Sequence, residues 1–258
     1  MINKNMNLLA NKLVKAFLNN KSIAPLPSRY VKNMKNAENF RKLCESKITK
    51  PIVGFKAAGT GIPLIKKLGE KEPFYASVYK HNLISNNSNI KINRNVLGIE
   101  LEVCYKISKD FFKLSRKISK KNVNKFVTHI APCIEVVGYR QRKKGIKCFG
   151  DLCSDFGANV KFIIGKKKKY RNNNVRNLKT NLSNKKADQS VNGNTNTVYI
   201  NPLNSLLFVL TKLQKDKVQH DENFYVFTGS SVGVVPILGR GVYNGKIEKI
   251  GSVKAKIS

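Results

Sequence analysis

Residues 96–105 read VLGIELEVCY, and this alternation limits what the chain can fold into more than any other stretch. Successive side chains of a strand point to opposite faces. Glu100 and Glu102 therefore share one wall, while Ile99, Leu101 and Val103 cover the other. The apolar face requires a core behind it. The acidic face requires a cation, because adjacent carboxylates repel and burial penalises their charged form. A divalent metal or a clamp of Lys and Arg is the expected partner, which makes the stretch a candidate active site.

Acids are scarce elsewhere, with 15 Asp plus Glu against 49 Lys plus Arg. Yet THIAPCIEVVGYR, residues 128–140, sets Glu135 between Ile134 and Val136 in a second predicted strand. A salt bridge to one of the many lysines would account for any one of these acids; three in apolar settings point to a shared cation. Lys56 is the single charge in PIVGFKAAGT, residues 51–60. Its neighbours Val53, Phe55 and Ala57 predict a partly buried strand end, where desolvation lowers a lysine pKa and fits it for acid–base work. A solvated side chain is the alternative reading.

The net charge of +34 raises nucleic-acid or anionic-membrane binding. The basic residues are spread over every segment and no aromatic-rich recognition motif accompanies them, so no nucleic-acid partner is expected. GKKKKYRNNN, residues 165–174, reads as an exposed hairpin end rather than a phosphate-tracking arm. The cysteines at 44, 104, 133, 148 and 153 are odd in number and lack CxxC spacing, which predicts reduced, partly buried thiols. The histidines at 81, 129 and 220 are too dispersed to complete a zinc site. No apolar run approaches the roughly 20 residues that span a bilayer. NLLANKLVKAFL, residues 7–18, admits a transit-peptide reading, but its lack of Arg and Ser favours the first helix of a cytoplasmic protein.

Periodicity predicts helices over 6–18, 30–45, 62–68 and 201–213. It also predicts a helix from Asp110 to about Phe126, strands or a hairpin arm over 72–84, and a loop running into a strand over 150–165. The glycine-punctuated end, 224–258, reads as short strands of a roll or barrel. At 41% hydrophobic residues, the chain can bury a substantial core.

Taken in order, GFKAAGT, EPFYASV, GIELEV, APCIEVV, the Asp155 loop ending in FIIG, NPLNSLLFVLTKL, FTGS and IGSVKAKI resemble the 2-keto-4-pentenoate hydratases of the fumarylacetoacetate hydrolase superfamily. Their collinearity carries the resemblance. It implies an α+β fold in which a helical N-terminal part, residues 1–72, packs on a mixed β-sandwich roll, residues 73–258, that carries the catalysis. It further implies Mg2+ or Mn2+ held by Glu100, Glu102 and Glu135, a catalytic Lys56, substrate contacts from Thr60, Asp155 and Ser230, and a homo-oligomer.

The implied activity is a hydratase, a carbon–oxygen lyase that adds water to a 2-hydroxy-2,4-dienoate to give a 4-hydroxy-2-oxo acid. An oxalocrotonate-type decarboxylase and an acylpyruvate hydrolase are the alternatives within the group, though the hydrolase's HxxE pattern is missing around His81. A basic nucleic-acid-binding protein or an inactive structural paralogue are the alternatives outside it. Two positions depart from the family pattern. Phe74 stands where an acid is usual, and Ala158 stands where a loop serine is usual.

Overall fold

The computed structural model describes residues 4–141 and 143–258. Two helices open it, α1 (Lys4–Asn19) and α2 (Met34–Glu45). Asn33 caps α2 by accepting a hydrogen bond from the Asn36 amide. Next come β1 (Ile52–Ala58), the short α3 (Ile62–Lys67), β2 (Phe74–Tyr79), and two-residue strands β3 (Leu83–Ile84) and β4 (Asn89–Ile90). The long strands β5 (Val96–Ile107) and β6 (Val127–Gly138) form the centre, followed by α4 (Phe149–Ser154), β7 (Asn159–Ile164) and β8 (Lys168–Lys169). The chain finishes with β9 (Lys179–Asn184), β10 (Gln189–Asn194), α5 (Pro202–Lys215), β11 (Phe224–Ser230), β12 (Gly241–Ile247) and β13 (Gly251–Ile257).

The strands form two mixed sheets. The larger has the order β2-β1-β11-β5-β6-β7-β3, with β8 on β6; β1–β11 and β3–β7 are parallel and the other pairs antiparallel. The smaller runs β10-β9-β12-β13-β4. β1 lies inside the larger sheet although it precedes residue 72.

Strands were expected over 72–84, but β2 and β3 do not pair with each other. They stand at opposite ends of the sheet's order, with only residues 80–82 between them. Two ends joined by three residues require the sheet to curl back on itself. Asn82 secures that junction, accepting from the Tyr79 amide and donating to the Val160 carbonyl.

The two sheets share one core. Ile99, Leu101, Val103 and Ile134 from the larger pack in the same buried cluster as Tyr243, Val253 and Ala255 from the smaller. Gly245 of β12 allows this approach, since a Cβ there would collide with Leu101. A second cluster docks α1 on the larger sheet: Leu13 and Phe17 bury against Tyr79 and Phe156, with the Phe17 ring tilted 32° to that of Phe156 at 4.2 Å.

Two local expectations are corrected. Residues 110–126 contain only 3-10 turns, Lys109–Lys113 and Val123–Phe126, instead of a helix. Asn122 accepts from the Ser119 amide and Gln214 from the Ile118 amide, so side chains take backbone donors that a helix would need. Conversely, α4 occupies the start of the expected 150–165 loop. Asp151 accepts from the Lys147 and Cys148 amides and so satisfies the donors at the start of α4.

All five cysteines are free thiols. No helix of the described residues is long and apolar enough to cross a membrane. The basic run at 166–169 is largely exposed, as expected, with β8 laid along His129 and Ile130.

Candidate metal and keto-acid site

The alternation read from the sequence holds: Ile99, Leu101 and Val103 are fully buried on the core side of β5. On the opposite side, register supplies the third acid, because Glu100 and Glu135 are direct cross-strand partners in the β5–β6 pair. Glu102 sits opposite Cys133 on β6 and Ser230 on β11. One carboxylate oxygen from each of Glu100, Glu102 and Glu135 lies within 4.8 Å of the others.

β1 delivers Lys56 to this cluster. Its Nζ donates to Glu135 Oε1 at 2.5 Å and to the Gly157 carbonyl at 2.9 Å, in a pair that is almost wholly buried. Glycine at 157 has φ of +67°, and a Cβ there would press on Ala58 and Lys56. Gly229 plays the matching part under Glu102. Its amide donates to Glu102 Oε2 at 3.1 Å, its φ is +99°, and any Cβ would collide with Thr60 Oγ1.

Burial drives the electrostatics. It pushes Glu100 up to about 7, reinforced by Glu135, and raises Glu102 and Glu135 as well. Burial alone would lower the Lys56 ammonium, but Glu135, Glu100 and Glu102 outweigh it and hold its pKa above the ordinary value. The expectation of a lysine pKa lowered by desolvation is therefore corrected: this ammonium is surrounded by three acids.

With all three carboxylates ionised against one ammonium, the cluster would carry a formal charge of −2, which burial disfavours unless a cation joins it. Glu102 Oε1 and Glu135 Oε2 are buried without a hydrogen-bond partner. Buried polar atoms are rarely left so. A divalent cation matches both the charge and the unpartnered oxygens. All-oxygen donors suit hard ions such as Mg2+ and Mn2+. The residues therefore fit the group that the sequence resemblance implies.

Above the acids opens a cavity of about 490 Å3, whose wall includes Lys56, Thr60, Glu100, Gly157, Ala158 and Ser230. The structure thus brings Lys56, Thr60, Ser230 and the three acids to one place. Ser230 Oγ donates to the Gly233 carbonyl and holds the loop that follows β11.

Asp155 is different. It is fully buried, accepts from the Arg140 amide and pairs with the Arg140 guanidinium at 3.1 Å, and it does not line the cavity. Burial pushes its carboxyl up to about 6, against the pull of Arg140. Its visible work is to hold the turn that carries Phe156, Gly157 and Ala158, three successive residues with positive φ.

Phe74 does not line the cavity; it packs edge-on against Phe149 at 5.3 Å in an apolar cluster with Ala58 and Ile65. Arg140 is the buried residue that sequence reasoning missed. It adjoins the Glu135 strand, but basic residues are too common in this chain for one to stand out.

No family model and no curated protein matches the sequence. Solved structures do. 4-Oxalocrotonate decarboxylase from Pseudomonas putida G7, complexed with magnesium and adipate, superposes with a TM-score of 0.83 over 99% of this chain and 98% of that one, at 17% identity. Fumarylpyruvate hydrolase from Pseudomonas aeruginosa, in complex with Mn2+ and pyruvate, gives 0.61 over 82% and 91% of the two chains, at 13% identity. 5-Carboxymethyl-2-hydroxymuconate delta-isomerase from Mycobacterium smegmatis gives 0.57 over 81% and 80%, also at 13% identity. The chain therefore has the fold of 4-oxalocrotonate decarboxylase and its relatives in the fumarylacetoacetate hydrolase superfamily, the group that its ordered motifs resemble.

Proposed function

We propose that this protein is a metal-dependent enzyme acting on a small 2-keto acid, and that the reaction is hydration of a 2-hydroxy-2,4-dienoate to a 4-hydroxy-2-oxo acid. The observation that carries the reading is the cluster of Glu100, Glu102 and Glu135 within 4.8 Å of one another, with two unpartnered buried oxygens, and Glu100 opening onto a cavity. The P. putida and P. aeruginosa neighbours are complexed with magnesium and Mn2+, which supports Mg2+ or Mn2+ here.

Glu100, Glu102 and Glu135 would hold the ion, Glu135 through Oε2 because Oε1 is taken by Lys56. When bound, the ion supplies Lewis-acid stabilisation of the negative charge that builds on an enolising 2-keto acid. Lys56 holds a proton at Nζ at neutral pH and acts as the acid, with Glu135 Oε1 orienting the ammonium. Lys56 would deliver that proton to C5 of the dienoate and take back the one that the 2-hydroxyl loses, which gives the α,β-unsaturated 2-oxo acid to which water adds at C4. The Gly157 carbonyl fixes the second ammonium hydrogen and limits the directions in which the proton can leave. Thr60 and Ser230 present hydroxyls on the cavity wall, where a substrate oxygen would be bound.

The test supplies 2-hydroxypenta-2,4-dienoate with Mg2+ and follows loss of its ultraviolet absorbance. Wild type turns it over, and Glu102→Ala and Lys56→Met lower kcat by at least about 100-fold, the scale of a positioned proton carrier. Absence of turnover by wild type, or full activity in Glu102→Ala, would reject the hydratase. The full-length likeness to 4-oxalocrotonate decarboxylase supports a second reading, loss of carbon dioxide from an oxalocrotonate-like diacid at the same acids. Carbon dioxide release from that diacid would select it.

A further inference from the structure

We infer that the site selects a 2-keto acid whose tail is apolar and uncharged, and that it discriminates against a dicarboxylate of the same length. This deepens the function proposed above and rests on it. Glu100, Lys56, Thr60 and Ser230 supply the polar part of the wall, and large aliphatic side chains supply much of the remainder: Leu64, Leu97, Val137, Ile146, Leu152 and Val234. Three of these are large apolar side chains left open to solvent, Leu64 at 39%, Ile146 at 37% and Val234 at 49% exposure. They come from three separate segments, α3, the 143–148 loop and the loop after β11, and they converge on one opening. Scattered exposed apolar residues need no explanation; a collar of them around a cavity does.

Size agrees. At about 490 Å3 the cavity falls in the range that encloses most of a drug-sized ligand, far more than the three-carbon head of a keto acid requires. A tail of several carbons would lie along Leu97, Val137 and Leu152.

Among the described residues, the one charge on the wall besides Lys56 and Glu100 belongs to Lys67, an exposed residue of α3. Among those residues, a second carboxylate would meet the Lys67 ammonium alone. An exposed ion pair strengthens binding by at most about fivefold. Each methylene buried on the aliphatic wall strengthens it by about fourfold. A terminal carboxylate gives up that burial and is desolvated besides, so the apolar tail wins.

The test is titration calorimetry with the Mg2+-loaded protein and saturated 2-oxo acids. 2-Oxohexanoate should bind about 15-fold tighter than 2-oxobutanoate, and at least tenfold tighter than 2-oxoadipate, its equal in chain length. Lys67→Ala should widen the hexanoate-to-adipate ratio by no more than about fivefold, and Leu64→Lys, on an exposed helix position, should narrow it severalfold. Equal or tighter binding of 2-oxoadipate by wild type, or an unchanged ratio in Leu64→Lys, overturns the inference while leaving the keto-acid site standing. Failure of every 2-oxo acid, pyruvate included, to bind overturns the underlying function and this inference with it.

Discussion

Gly229 shows how a single missing side chain arranges the acids. Its amide reaches Glu102 only because no Cβ competes with Thr60, and its φ of +99° is costly for any other residue. Gly229→Ala should lower the unfolding free energy by about 3 kcal/mol in urea titrations, through overpacking and backbone strain. Ordinary stability in that variant would show the contact to be soft.

His81 makes a separate residue-scale prediction. Its ring lies 6.0 Å from Tyr79 and 5.7 Å from Phe17, with neither nitrogen hydrogen-bonded. Burial, with Lys161, Lys50 and Arg140 nearby, lowers its pKa to about 4. The folded state thus prefers the neutral ring, whereas the unfolded chain takes up a proton near pH 6.5. This part of the stability is complete above about pH 6.5 and is lost as pH falls towards about 4. The urea midpoint of His81→Phe should fall less steeply than that of wild type across that window, and parallel curves would contradict the assignment.

At the scale of elements, the long pair β5–β6 positions the acids and α1 braces the sheet from outside. The acid pairing follows from register: a one-residue slip would turn Glu100 and Glu102 into the core. α1 is anchored by Phe17, which packs on Phe156 and lies under the Arg140 guanidinium at 4.9 Å, so the helix supports the turn that carries Gly157. Phe17→Ala should cost about 3–5 kcal/mol by chemical denaturation, a core cavity's penalty. A loss below about 1 kcal/mol would mean that the helix is a passive cover.

Helices α1, α2 and α5 were legible in the sequence because each has an apolar face, and the six-residue α3 because Pro63 stands in its first turn. α4 was not legible, since six residues are too few for a periodic signal and its Asp151 cap stands inside a mixed Gly, Cys and Ser run. The false helix at 110–126 had good local spacing, but its backbone donors found side-chain partners supplied partly by α5.

For the whole molecule, charge and metal dominate. A net +34 repels itself, so raising ionic strength from low to physiological should raise Tm by screening. A Tm independent of salt would show that the scattered lysines sit too far apart to interact. Mg2+ or Mn2+ at about 100 times its Kd should add about 2.7 kcal/mol, which is roughly 5–10 °C in Tm for a chain of this size. Glu102→Ala should lack that shift, and an equal shift in the variant would move the ion elsewhere.

The sequence by itself determined that three acids and one lysine occupy apolar strands, because alternation and burial are local properties. It also ordered the motifs whose likeness the superposed folds bear out. Tertiary structure alone decided what those groups do to one another. Only cross-strand register places Glu135 opposite Glu100, and only the curl of the sheet brings Lys56 of β1 against Glu135 of β6. That contact reverses the expected direction of the lysine's pKa, because Coulomb attraction from three acids exceeds the penalty of burial. It also set Asp155, expected as a substrate contact, against Arg140 and off the cavity wall, a pairing between residues whose separation in sequence gave no signal.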